Sequence, residues 1–180
     1  MNTSGEGMGL LKGMAVGFVG VGPTGTPMAR NILSAGASTF IYSRTPSIRY
    51  ELARSGFHLC QSPAEIAEKT AGGTILILAG GSDAPSLIAE GEDNLLDVLH
   101  PDTLVVDLRT GAQTQAESYT LRADEKGAHW LTAELVRTKS APDTVQEIRV
   151  HGPLAIFKRA LPVLNCLSDT VRHLEGAENS

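Results

Sequence analysis

A glycine-rich segment, G-V-G-P-T-G at positions 20–25, has the G-x-G-x-x-G spacing of a phosphate-binding turn. It follows an apolar run, 14–20, that predicts a buried strand, and it opens an amphipathic segment, 24–35, that predicts a helix. In that context the glycines permit a tight turn, close approach of a pyrophosphate and close helix–strand packing, with free N–H groups at the helix start facing the phosphates. The alternative is a strand-to-helix turn without a ligand. We predict a dinucleotide site formed by Gly20, Val21, Gly22, Pro23, Thr24 and Gly25.

The end of the second predicted strand, 38–43, indicates which dinucleotide is bound. A site for NAD usually has a carboxylate about 20 residues beyond the glycines, to accept a hydrogen bond from the ribose 2′-hydroxyl. This chain has Ser43, Arg44 and Thr45 there, and no carboxylate before Glu51. Two hydroxyls and a guanidinium suit a 2′-phosphate, so we predict NADP(H). The alternative is a surface arginine beside a helix-capping threonine.

The segment G-F-V-G-V-G-P-T-G-T-P-M-A-R-N-I-L-S-A-G, 17–36, resembles the opening of the β-hydroxyacid dehydrogenases, the 6-phosphogluconate dehydrogenase-like superfamily. That family has methionine where this chain has Thr24. The Ser-Arg-Thr sequence at 43–45 is similar to the N-R-T with which NADP-using members hold the 2′-phosphate. The resemblance also implies that Leu78, Ala79 and Gly80 form a loop beside the nicotinamide half. It covers Met14 to about Gly176.

The segments that carry the family's chemistry match less closely. In D-L-R-T-G, 107–111, Asp107 and Thr110 remain from the hydroxyacid pattern, and the following glycine is similar to the imine reductase branch. The resemblance implies a hydride transfer between nicotinamide and a C=N or C=O carbon, with Thr110 orienting the small-molecule substrate or the nicotinamide amide. Glu134, in a segment that replaces the family's carboxylate-binding loop, could donate a proton if it is buried. Arg109 faces the substrate or the pyrophosphate in one interpretation, and lies free in an exposed loop in the other.

In the resembled family an all-helical second domain follows, and it supplies the proton donor and much of a dimer interface. The resemblance therefore implies a homo-oligomer or a helical protein partner that completes the site. The last helix, with Leu154, Phe157, Leu161 and Leu164, would then carry an uncovered apolar face. Two alternatives stay open: a non-catalytic NADP(H)-binding module that regulates or scaffolds a partner, and a truncated gene product.

The elements that must position these residues alternate along the chain. Apolar strands at 74–79, 103–108 and 129–136 are separated by helical segments, which predicts an α/β fold of the Rossmann type: a doubly wound, mostly parallel sheet with helices on both faces. The alternating segment 144–150 predicts an antiparallel or half-solvated strand. We assign residues 1–13 to a flexible tail, 14–175 to the NADP-binding domain and 176–180 to a second tail.

Composition excludes several other classes of function. A net charge of -5 gives no electrostatic drive toward nucleic acid, and no apolar run approaches the roughly 18 residues that span a membrane. The five histidines have no metal-ligand spacing, so we expect no metal site. Cys60 and Cys166 cannot form a disulfide framework and are expected to be buried and inert. With no signal peptide at the start, we expect a cytoplasmic protein.

Overall fold

A single sheet organises the chain, as seen in a computed structural model that describes residues 9–142 and 144–175. Its strands in the described residues are β1 Ala15–Val19, β2 Ser38–Tyr42, β3 His58–Leu59, β4 Thr74–Ile77, β5 Leu104–Asp107, β6 His129–Val136, β7 Glu147–His151 and β8 Val171–Leu174. The helices are α1 Gly25–Ser34, α2 Pro46–Ala53, α3 Pro63–Lys69, α4 Ala116–Glu125 and α5 Leu154–Leu164. A π-helical turn spans Ser86–Glu90, and 3-10 turns span Leu96–Val98 and Ala112–Gln115.

The strand order is β3-β2-β1-β4-β5-β6-β7-β8. Strands β1 to β6 are parallel, β7 pairs antiparallel with β6, and β8 runs parallel to β7. This confirms the predicted mostly parallel Rossmann-type sheet, and of the two possibilities left open for the segment 144–150 the antiparallel one is found in β7. The parallel strands place the carboxyl ends of β1, β2, β4, β5 and β6 along one edge, where ligands bind in folds of this type.

Two apolar layers cover the faces of the sheet. On one face α1 and α5 bury Ile32 and Val163 in one apolar cluster, which also contains Phe18 of β1 and Val106 of β5. On the other face α3 and α4 bury Ile66 and Tyr119. All four residues of β4 and of β5 are buried, as expected of central parallel strands covered on both sides.

The structure differs from the sequence prediction at the N-terminal end of the domain. Residues 9–13, assigned to a flexible tail, form a turn in which Leu11 is fully buried and its backbone N–H donates to the Ala35 carbonyl at 2.9 Å. Residues 1–8 and 176–180, the remainder of the two predicted tails, lie outside the described residues.

The predicted uncovered apolar face of α5 is wrong. Phe157 and Leu164 are buried in the core because this helix packs on the sheet, and only Leu154 is well exposed. Within the described part of the chain, no helix is long and apolar enough to cross a membrane.

Candidate functional site

A cavity of about 840 Å³ lies at the carboxyl ends of β1, β4, β5 and β6. It brings together residues that are more than 100 positions apart in sequence. The predicted site residues that line it are Gly22, Pro23, Thr24, Gly25, Leu78, Gly80, Arg109, Thr110 and Glu134. The other predicted site residues, Gly20, Val21, Ser43, Arg44, Thr45 and Ala79, lie outside its lining.

The glycine loop has the backbone geometry that a phosphate-binding turn needs. Gly20 has φ +84°, and a Cβ there would lie 2.5 Å from the Ala79 Cβ, so only glycine fits this tight turn. At Gly25 a Cβ would lie 3.0 Å from Leu78 Cδ1, which accounts for the close contact of helix and loop. A Cβ on Gly22 would meet no atom within 4 Å. The open space above Gly22 is therefore where a phosphate group can approach the backbone.

Ser43 holds the glycine loop in place. Its side chain is almost completely buried, and its hydroxyl donates to the Val21 carbonyl at 3.0 Å and accepts from the Thr45 N–H at 3.3 Å. Because its hydrogen bonds are directed into the protein, Ser43 acts here as a positioning residue and not as a phosphate ligand. Val21 and Ala79 are likewise buried, so they shape the loop from below.

Arg44 is exposed and forms an ion pair with Asp83, from the loop after β4. Since β2 and β4 flank β1 in the sheet, this ion pair bridges the mouth of the site across the end of β1. The sequence analysis did not anticipate a carboxylate beside Arg44, because Asp83 lies 39 positions from it along the chain. Thr45 is exposed at the start of α2, and its side chain caps no backbone N–H. Arg49, on the first turns of α2, donates to the Ser43 carbonyl at 3.5 Å and adds a second cation here.

Arg109 lines the cavity, but its guanidinium is already engaged by Asp107, which limits its predicted substrate-facing role. Its Nε and Nη2 donate to the two carboxylate oxygens of Asp107 at 2.8 and 2.6 Å, and its side chain is only 8% exposed. Burial disfavours the charge of Arg109, but the hydrogen bonds and charge of Asp107 outweigh that effect and raise the pKa of Arg109. The pair fixes the loop after β5, with the guanidinium over the Tyr119 ring.

Thr110 and Glu134, the two candidate catalytic residues, both line the cavity and both are exposed. The exposed position of Glu134 lacks the burial on which a proton-donor role depends. The neighbouring Gln113 also lines the cavity, and its Nε2 donates to Thr132 Oγ1 at 2.6 Å, which joins the loop after β5 to β6.

The sequence interpretation missed Arg137 as a cavity residue. Arg137 follows β6 directly, and its Nη1 donates to Thr24 Oγ1 at 3.5 Å. Its position directly after the predicted parallel strand 129–136 could have identified it, since residues that follow parallel strands lie at the ligand edge of the sheet.

Both cysteines stand apart from this chemistry. Burial raises the pKa of the Cys60 thiol to about 11, and it also raises the pKa of the Cys166 thiol. A protonated thiol is a poor nucleophile, which agrees with the prediction that both are inert. In the residues that the structure describes, no group of three or more His, Cys, Asp or Glu side chains could hold a metal ion.

Comparison with known proteins places this site in context. Residues 15–176 match the family described as the NAD binding domain of 6-phosphogluconate dehydrogenase. An uncharacterised oxidoreductase of Bacillus subtilis (strain 168) is 30% identical over 88% of this chain and 55% of its own length. Mitochondrial 3-hydroxyisobutyrate dehydrogenase of Mus musculus is 29% identical over 87% of this chain and 46% of its own length. The chain thus spans about half the length of the curated relatives it matches.

Solved structures with the same fold include an imine reductase from Myxococcus stipitatus in complex with NADP+. It is 20% identical, with a TM-score of 0.75 over 89% of this chain and 55% of its own. A V8 variant of the Myxococcus stipitatus imine reductase in complex with NAD+ has a TM-score of 0.76 at 19% identity, over 90% and 55% of the two chains. At this identity the likeness concerns the fold.

Proposed function

The chain belongs to the family of NAD-binding domains found in 6-phosphogluconate dehydrogenase, and from that premise we propose that it binds NADP(H) as the cofactor half of an oxidoreductase. The observation that carries the proposal is the glycine loop, whose open face at Gly22 adjoins the start of α1 and the cavity. The positive end of the α1 dipole, with no acidic side chain in its first turn, suits the pyrophosphate. Because the Thr26 N–H donates to the Gly22 carbonyl at 3.0 Å and Pro27 has no N–H, the N–H groups that would face a phosphate are those of Thr24 and Gly25.

Arg44 supports NADP(H) over NAD(H). It lies beyond β2, where a carboxylate would face the ribose in a typical NAD site, and its exposed guanidinium can form two hydrogen bonds to a 2′-phosphate. Thr45 and Arg49 add a hydroxyl and a further cation to the same corner. The Ser43 hydroxyl holds the loop beneath them.

The proposed reaction is that of a β-hydroxyacid dehydrogenase or imine reductase. A bound nicotinamide would exchange hydride with a substrate C=N or C=O carbon. The cavity beyond the glycine loop would hold the nicotinamide half, between Leu78, Gly80 and the loop after β5. Thr110 would orient the small-molecule substrate or the nicotinamide amide, and Glu134 is the one carboxylate of the described residues that lines the cavity.

We propose that a second copy or a helical partner completes the site. Arginine hardly deprotonates near neutral pH, a threonine hydroxyl is a weak acid, and Glu134 is exposed. The proton would therefore come from a group on that partner. The two free thiols suit a reducing, cytoplasmic location. The alternative of a non-catalytic NADP(H)-binding module has no separate observation in its favour.

Calorimetric titration of Arg44→Ala tests the cofactor preference. A hydrogen bond to a charged group contributes roughly 1.5–3 kcal/mol, so NADPH affinity should fall about 10- to 150-fold while NADH affinity stays the same. Arg54→Ala is the matched control, because Arg54 is an exposed arginine of the same region that contacts Tyr50. Equal losses of NADPH and NADH affinity in Arg44→Ala would remove the 2′-phosphate role.

Steady-state oxidation of NADPH tests the role of a partner. We expect the purified chain alone to reduce 2-oxoacids, aldehyde-acids and cyclic imines far more slowly than an enzyme does, because a missing general acid costs about 10²–10⁴-fold and lost positioning costs more. Robust turnover by the chain alone, abolished in Glu134→Gln, would contradict this and make Glu134 the proton donor. If the chain binds NADPH but shows no turnover when a partner protein is added, the non-catalytic module is favoured.

A further inference from the structure

Arg137 is the cation of the cavity whose bonding is left incomplete. Its Nη1 donates to Thr24 Oγ1 at 3.5 Å, the outer limit of a hydrogen bond. Its Nε is buried and has no hydrogen-bond partner in the described part of the chain. Among the described residues it also forms no ion pair with a carboxylate.

Arg109, the other arginine that lines the cavity, has a guanidinium with hydrogen-bond acceptors and serves as the comparison. It is held by both carboxylate oxygens of Asp107, whereas Arg137 has one long contact to a hydroxyl. A buried donor without an acceptor is costly, and native proteins rarely leave one without a reason. Because the Nε itself has no exposed surface, an anionic ligand in this cavity would accept hydrogen bonds from the Nη groups of Arg137.

The neighbour of Arg137 identifies which anion is in reach. Thr24 belongs to the glycine loop and immediately precedes α1, at the positive end of the helix dipole. A guanidinium in contact with Thr24 therefore lies beside the position of a dinucleotide's pyrophosphate, and arginine binds phosphate oxygens through two parallel hydrogen bonds.

We propose that Arg137 contacts the pyrophosphate of the bound dinucleotide, reaching it from β6 while the glycine loop holds it from β1. This inference rests on the proposed cofactor binding and adds to it a residue 113 positions from Thr24. Its role differs from that of Arg44. The pyrophosphate is common to NADPH, NADH and ADP-ribose, whereas only NADPH carries the 2′-phosphate.

The test is calorimetric titration of the purified chain and of Arg137→Met with NADPH, NADH and ADP-ribose. All three affinities should fall by a similar factor, about 10- to 100-fold, because the lost hydrogen bonds go to a group that all three share. Arg137→Lys keeps the charge but loses the two-pronged geometry, so it should show a smaller loss that is again equal for the three ligands. Lys139→Met, an exposed cation two positions away, is the matched control and should bind as the parent does.

Three results would overturn the inference. Unchanged affinities in Arg137→Met would show that Arg137 makes no contact with the pyrophosphate. Losses for NADPH and NADH but not for ADP-ribose would move the contact to the nicotinamide half. If Arg137→Met fails to fold, as judged by its thermal transition, the test passes to Arg137→Lys. Affinities of Arg137→Lys for the three ligands that equal those of the parent would then overturn the inference. Failure of the parent chain to bind all three ligands would instead remove the proposed function itself, so the two failures are distinguishable.

Discussion

At the scale of single residues, the sequence predicted the types of groups at the site better than their partners. The glycine loop was readable because Gly20, Gly22 and Gly25 stand at fixed spacing between a strand and a helix. The ion pair of Arg44 with Asp83 and the contact of Arg137 with Thr24 join residues 39 and 113 positions apart. Local patterns carry no information about such pairs. The Asp107–Arg109 pair, two positions apart, was predictable in principle but requires the side chain to turn back on its own strand.

Asp83 is the residue that we expect to limit NADPH affinity. It pairs with Arg44 across the end of β1, so a 2′-phosphate must compete with its carboxylate for the guanidinium. An exposed ion pair contributes roughly 0.2–1 kcal/mol, so Asp83→Asn should tighten NADPH binding about 1.4- to 5-fold and leave NADH binding unchanged. Fluorescence titration with NADPH and with NADH measures the change in each affinity between the parent and Asp83→Asn.

Asp93→Asn serves as the control for Asp83→Asn, since it also removes an exposed carboxylate. A loss of NADPH affinity in Asp83→Asn would show that Asp83 orients Arg44 for the phosphate instead of competing with it.

At the scale of elements, periodicity located the long ones and failed for the short ones. Strand β6 has the bounds His129–Val136 that the apolar run predicted, and β7 is antiparallel, one of the two possibilities that its alternation left open. Strand β3 has only two residues, His58 and Leu59, which are too few to show a pattern. The helical segment expected between the strands at 74–79 and 103–108 consists only of a π-helical turn at Ser86–Glu90 and a 3-10 turn at Leu96–Val98, which are in contact with each other.

Asn94 is the residue that secures the connection between β4 and β5. It is buried, its Nδ2 donates to the Gly91 carbonyl at 2.6 Å and to Asp97 Oδ2 at 2.8 Å, and its Oδ1 accepts from the Asp97 N–H at 3.0 Å. The hydrogen bond from Asn94 also lowers the pKa of Asp97. Asn94→Ala leaves these groups without a partner, so the free energy of unfolding in urea should fall by about 1–3 kcal/mol.

Glu92→Ala, an exposed change in the same connection, is the comparison for Asn94→Ala and should be close to neutral. Equal stability of Asn94→Ala and the parent would show that the three hydrogen bonds are replaced by water at no cost.

At the scale of the whole molecule, the mostly parallel sheet and its two covering helical layers followed from the alternation of strands and helices, whereas the strand order came from the structure. The packing of α5 did not, because its apolar residues suit an interface and a core equally well. Phe157 and Leu164 lie in the core, so self-association, if the site needs it, must use another surface. What the fold as a whole provides is one ligand edge, where the glycine loop, the Arg44 corner and the cavity meet.

The central claim is that a dinucleotide binds with its pyrophosphate against Gly22, and Gly22→Ala tests it most directly. A Cβ at Gly22 meets no protein atom within 4 Å, so the variant should keep the thermal transition of the parent, whereas the methyl group occupies the space that the phosphate needs. Calorimetric titration with NADPH should show binding to the parent chain and an affinity at least about 10-fold weaker in Gly22→Ala, since blocking hydrogen bonds to a charged group costs roughly 1.5–3 kcal/mol. Equal NADPH affinity in the parent and in a fully folded Gly22→Ala would contradict the account.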